Sequence, residues 1–155
     1  MSLTELASKA TEIKDLGSLF GVGVATIALC FTAYNTRITA RANRARFWLD
    51  LRTHFYRYDE VHRKLRPGGE WYSGDGPATA DEWAQVEAYM GLFEHCEKML
   101  EKRLIDERQF SEIYEYRLSN LVANDTIREE KLRKRPEGWI SFLALLDRLG
   151  IEFKR

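Results

Sequence analysis

Charged and apolar residues interleave along this chain at helical spacing, except in one place. Residues 16–36, bounded by Asp15 and Arg37, carry no charge. Twenty-one residues at about 1.5 Å each reach across a hydrocarbon core of about 30 Å. A water-exposed helix of that length shows a charged face. The run therefore predicts a transmembrane helix, with a buried core helix as the alternative. Upstream, Ser2 and Glu5 match a capping box, and Leu3, Leu6, Ala10 and Ile13 recur at helical spacing. This segment is expected to form a short amphipathic helix, lying on the outer interface or continuous with the anchor.

Downstream no Gly or Pro occurs until Pro67, so residues 37–65 are expected to continue the anchor as one long helix. Trp48, Leu51, Phe55, Tyr58, His62 and Leu65 form a seven-residue stripe suited to packing on other helices. Residues 37–46 lack such a stripe and read as a basic stalk. Residues 67–79 hold four Gly and two Pro and form a loop. Thr79 and Glu82 make a second capping box, leading into a helix with Trp83, Val86, Met90, Phe93, Cys96 or Glu97, and Leu100 on one face. Asp106 and Gln109 cap a helix bearing Phe110, Ile113, Tyr114, Leu118 and Leu121, and Asn124-Asp125 breaks it. In the charged stretch 126–135 the apolar contacts are Ile127 and Leu132. Pro136 opens a last helix whose face is Trp139, Phe142, Leu143, Leu146 and Leu149, closed by Gly150. No alternating strand pattern competes. The predicted fold is all-α: an N-terminal transmembrane helix (1–36) continuing into a bundle of about four helices (37–155).

The formal net charge of zero hides a strong asymmetry. Residues 37–66 hold nine Lys or Arg against three acids, whereas 67–115 hold four against twelve. Arg37, Arg41, Arg44 and Arg46 crowd the exit of the run, and only Lys9 and Lys14 flank its entry. The positive-inside rule then puts the C-terminal domain in the cytoplasm and makes the run an uncleaved, single-pass signal anchor. Cys30 and Cys96 make no disulfide framework.

The stretch 93–149 contains an aromatic-rich helix, a RLIDERQF turn, then YEYRL and a tryptophan-led last helix. It resembles a group of small bacterial helical proteins of unknown function with one N-terminal transmembrane helix. The resemblance supports the build and implies no catalytic residues.

Four groups of residues are candidate sites. Gly17 and Gly21 form G-x-x-x-G with Ala25 and Ala28 nearby, a small-residue face for packing membrane helices. Arg37, Arg41, Arg44 and Arg46 suit anionic lipid headgroups as well as topology. Arg128, Lys131, Arg133, Lys134 and Arg135 could hold an anionic ligand such as a nucleotide, or could be a solvated face paired with Glu129 and Glu130. Trp71 and Tyr72 in the Gly-rich loop either dock on the domain or anchor a partner. The three histidines and two cysteines lack metal-site or nucleophile spacing. The sequence thus points to a membrane-anchored assembly protein that binds another protein or itself, with no catalysis, no cofactor and no nucleic-acid partner. A membrane effector sensing a small anion, and an accessory subunit of a larger membrane complex, are the rivals.

Overall fold

The computed structural model describes residues 3–72 and 74–152, with side chains from residue 23 onward. All regular structure among them is helical. The chain divides into two units, Met1–Asp50 and Leu51–Arg155. The capping pair Ser2 and Glu5, the apolar positions Leu3, Leu6, Ala10 and Ile13, and the small residues Gly17 and Gly21 lie outside the described side chains.

The first unit is helix α1, which spans Leu3–Tyr56 and ends in the second unit. Its backbone runs unbroken from Leu3, so the upstream segment is continuous with the uncharged run. Every side chain from residue 23 to residue 46 is exposed. Thr32 and Thr36 donate their hydroxyls to the carbonyls of Ala28 and Thr32, four residues back, at 2.8 and 2.9 Å. Among the described residues no helix is long and apolar enough to cross a membrane. The first seven residues of the uncharged run, 16–22, fall outside that description.

The second unit has its own core. Among the described residues, every buried hydrophobic side chain lies at Leu51 or beyond. The expected continuous helix over 37–65 is interrupted: α1 stops at Tyr56, and α2 spans Asp59–Leu65. Two tight bonds, Arg57 N–H to His54 carbonyl and Tyr58 N–H to Phe55 carbonyl, close the last turn of α1. The turn shifts the buried register. Leu51, Phe55 and Leu65 are buried as the stripe required, but Val61 takes the core place expected of His62.

Helix α3 (Ala80–Glu101) starts at the expected capping box. Glu82 N–H donates to the Thr79 hydroxyl, and the Glu82 carboxylate accepts from the Thr79 N–H. It buries Val86, Tyr89, Met90, Phe93, Cys96, Glu97 and Leu100; Trp83 is only half-buried. Its end is a Schellman turn, in which Leu104 N–H reaches the Met99 carbonyl and Arg103 N–H the Leu100 carbonyl. Arg103 occupies the left-handed position with φ of 54°. Helix α4 (Glu107–Ala123) is capped by Asp106, which accepts from Gln109 N–H at 2.9 Å. Phe110, Tyr114, Leu118 and Leu121 are buried, while Ile113 is exposed.

Aromatic rings fuse these helices. Phe55 stacks on Tyr114 with centroids 4.1 Å apart and meets Phe93 edge-on at 5.0 Å. Phe93 in turn meets Phe142 at 6.2 Å. One turn of α-helix, α5 (Asp125–Ile127), passes into a π-helical segment, Arg128–Arg133. Its i→i+5 bonding brings residues five apart onto nearly one face. That is how Ile127 and Leu132 are both buried.

A 3₁₀ turn, Pro136–Trp139, precedes α6 (Ile140–Arg148). Trp139 is therefore not a core residue. It is half-buried and set edge-on against Phe142 at 6.4 Å, and the buried face of α6 is Phe142, Leu145 and Leu146. Gly150 closes α6 in a second Schellman turn at φ of 65°, with Ile151 N–H bonded to the Leu146 carbonyl.

Phe93→Ala is expected to cost about 3–5 kcal/mol, the usual penalty for emptying a buried aromatic site. Trp139→Ala should cost distinctly less, and thermal melts of the two variants compare them directly. Arg103→Gly should stabilise the chain. The left-handed conformation costs a non-glycine residue about 1–2 kcal/mol, against about 0.5–1 kcal/mol of extra glycine entropy. A lowered denaturation midpoint for Arg103→Gly would contradict this account.

Candidate functional site

The Gly-rich loop and α2 carry a connected set of polar contacts. Lys64, on the last turn of α2, donates to Glu82 at 2.6 Å, pairs with Glu70 at 3.3 Å, and sits 4.6 Å above the Trp71 ring. Lys64, with the Ala78 and Thr79 amides, holds the Glu82 carboxyl down at about 2. Trp71 itself is buried, and its N–H donates to the Lys64 carbonyl at 2.9 Å. Trp71 is thus part of the core and cannot be the exposed partner anchor that the loop suggested. Its neighbour Tyr72 is exposed.

Asn124 clamps the loop from the other side. Its Nδ2 donates to the carbonyls of Trp71 and Asp75, and its Oδ1 accepts from Ile127 N–H as the cap of α5. Thr126 donates to the Gly74 carbonyl at 2.8 Å. Gly76 must lack a side chain, because a Cβ there would meet Thr126 at 2.6 Å.

Between α2 and α4 lies a buried polar seam. Arg117 Nη2 donates to Asp59 at 2.5 Å. Arg117 Nη1, the Tyr89 hydroxyl, His62 Nδ1 and Asn120 Nδ2 are buried. Burial pushes the Tyr89 hydroxyl up to about 12, with the Arg117 charge opposing. Burial also disfavours the Arg117 charge, but Asp59 and Tyr89 hold its guanidinium above the usual value. His62 is driven below its ordinary 6.5, first by burial and then by Arg117, with Asp59 pulling the other way and Arg66 adding to the depression. The ring of Tyr116 meets His62 edge-on at 5.7 Å.

Beside the seam is an open groove of about 760 Å³, lined by Glu60, Arg63, Lys64, Arg66, Tyr116 and the 67–70 turn. Its walls carry three cations and two carboxylates, and the exposed Tyr116 ring is the largest apolar surface it offers. A groove of this make-up suits a polar segment carrying both signs of charge.

The basic cluster beyond α4 is paired with acids. Arg128 pairs with Asp125, Lys131 with Glu87, Arg133 with Glu129 and Lys134 with Glu130. Lys131 also lies 4.6 Å over the Trp83 ring. Arg135 is exposed beside them. These are pairings of the kind that the solvated-face alternative expects. Arg37, Arg41, Arg44 and Arg46 are exposed along α1, as are Ala25 and Ala28.

Cys96 is fully buried and burial pushes its thiol up to about 12, far from a nucleophile's range. Among the described residues no three His, Cys, Asp or Glu side chains converge as metal ligands do. Compared with protein-family models, with curated proteins and with solved structures, the chain matches none.

Sequence reasoning passed over the Asp59–Arg117 pair and the triple role of Asn124. Both left signals. Arg117 falls between Tyr114 and Leu121 on a buried face, where a charge needs a partner. Asn124 stands three residues before the apolar Ile127, the position of a helix cap.

The depressed pKa of His62 fixes a sign. Below 6.5 the unfolded chain binds a proton at this residue that the folded chain refuses. The contribution of His62 to stability is therefore present in full above pH 6.5 and is lost as pH falls from there towards the folded-state pKa. Melting midpoints measured between pH 7.5 and 5 are expected to fall less in His62→Gln than in the wild type, and parallel curves would rule the effect out.

Proposed function

We propose that this chain is a single-pass, membrane-anchored assembly protein. Its α1 segment is held in a bacterial inner membrane, and its C-terminal helical unit works in the cytoplasm by binding a protein partner. The observation that carries the reading is the surface of α1. Val24, Ile27, Leu29, Phe31 and Tyr34 are between 53% and 71% exposed, while the second unit completes its core from residue 51 onward without them. The uncharged run of 21 residues is long enough to need a lipid cover. The hydroxyls of Thr32 and Thr36 are bonded within the helix, as an apolar surrounding demands. Arg37, Arg41, Arg44 and Arg46 follow at the level where anionic headgroups lie, each worth about 1 kcal/mol near such a surface.

In this reading the groove beside α2 and the exposed Tyr72 and Tyr116 rings are the partner-binding parts of the cytoplasmic unit. Its part-buried pairs, Asp59–Arg117 and Glu97–Arg148, shape the unit and perform no chemistry.

Membranes from cells making the full chain, washed with alkaline carbonate, should retain it. In a Cys30→Ser background, a membrane-impermeant thiol reagent should label Ser2→Cys in intact cells and miss Lys154→Cys. Release by carbonate would end the anchor reading, and the reverse labelling would end the cytoplasmic placement.

A further inference from the structure

We propose that α1 pairs in parallel with the α1 of a second copy of this chain, through a seam of Val24, Ile27, Phe31, Tyr34 and Ile38. The middle of this seam rests on the membrane reading above. All five side chains are exposed on the isolated chain. Their spacing is three, four, three, four, the repeat by which one helix inserts its side chains between those of another. Between residues 24 and 38 the large apolar side chains exposed are these five and Leu29 alone. The remaining positions are Ala, Thr, Cys, Asn and Arg37.

A lipid cover explains apolar residues but sets no period. The repeat also outruns the lipid. In the sequence one set of positions steps by sevens from Leu6 through Ile27 to Tyr34, and the other from Leu3 through Val24 to Ile38, with only Ala10 and Gly17 small. The backbone is helical throughout. From Leu3 to Ile38 such a helix is about 54 Å long, against about 30 Å of hydrocarbon. In the sequence, the same positions upstream of Asp15 stand among Glu5, Lys9 and Glu12, outside the hydrocarbon, where the outer interface is the alternative cover. A partner helix carrying the same repeat covers the stripe along its whole length. Because every copy crosses the membrane in one sense, that partner runs parallel.

The seam has a defined end. The next position in the repeat is Arg41, at the start of the basic segment, and further on Leu51 and Phe55 are turned into the core of the second unit. A seven-residue repeat winds paired helices into a left-handed supercoil. That differs from the right-handed crossing of a G-x-x-x-G contact, which would centre on Gly17, Gly21, Ala25 and Ala28.

The test is a cysteine scan of the full chain in native membranes, in a Cys30→Ser background. Single cysteines replace Ala25, Ile27, Leu29, Phe31, Ala33 and Tyr34, and copper-phenanthroline drives disulfide formation between copies. Dimer yields at 27, 31 and 34 several-fold above those at 25, 29 and 33 are expected. A maximum at 25, or equal yields at all six positions, would overturn the seam. Carbonate retention measured on the same membranes answers separately for the anchor: a retained chain without the periodic pattern leaves the anchor and removes the seam. If the chain is released while the pattern persists, the seam holds in water and the membrane reading falls.

Discussion

Asn124 is the side chain on which the second unit turns. It is 4% exposed, and both ends of its amide are engaged. One end starts α5; the other holds two carbonyls of a loop that has no regular structure of its own. Leaving the buried Trp71 carbonyl unpaired would cost about 1–3 kcal/mol, so the loop has little freedom to lie elsewhere. Once Trp71 is fixed, its ring receives Lys64, Lys64 receives Glu82, and Glu82 closes the start of α3. A loop of four glycines and two prolines is thereby made part of the core rather than a tether.

Charge ties the remaining elements in the same way. Arg148 of α6 donates to both oxygens of Glu97 on α3 and also reaches Glu107 at the start of α4. Glu97 is 6% exposed, and Arg148 is its hydrogen-bond donor. Such pairs add little net stability compared with apolar residues of the same size, but losing one member leaves a stranded charge. Through Arg148 they link α6 to α3 and to the start of α4.

Much of this was legible in the sequence because local rules and tertiary packing agree. Thr79 with Glu82, Asp106 with Gln109, Asn124 and Gly150 all mark helix ends that the structure keeps, and the Phe93 and Phe110 faces are buried as their spacing requires except at Trp83 and Ile113. The failures have physical causes. The turn at Arg57 and Tyr58 contains no glycine or proline to mark it, and it follows Phe55, which packs on rings of α3 and α4. Ile127 and Leu132 point apart on an α-helix, and the π-helical segment that aligns them has no sequence mark. Trp71 in a glycine-rich loop reads as an exposed ring until a lysine seven residues earlier and an asparagine fifty-three residues later are brought to it. The basic run 128–135 was legible as charge but not as function, since its partners lie partly on α3, at Glu87.

The same packing that silences Cys96 gives the molecule an internal clock. Its thiol lies on α3, among the most enclosed residues of the core, and burial alone raises its pKa. No fluctuation that merely frays a loop exposes it; α3 must part from the helices packed around it. Its rate of alkylation therefore reports the opening of the whole unit rather than local breathing. When opening and closing are fast relative to labelling, that rate is proportional to the population of the open state. A single native atom thus registers the cooperativity of the unit, with no probe attached.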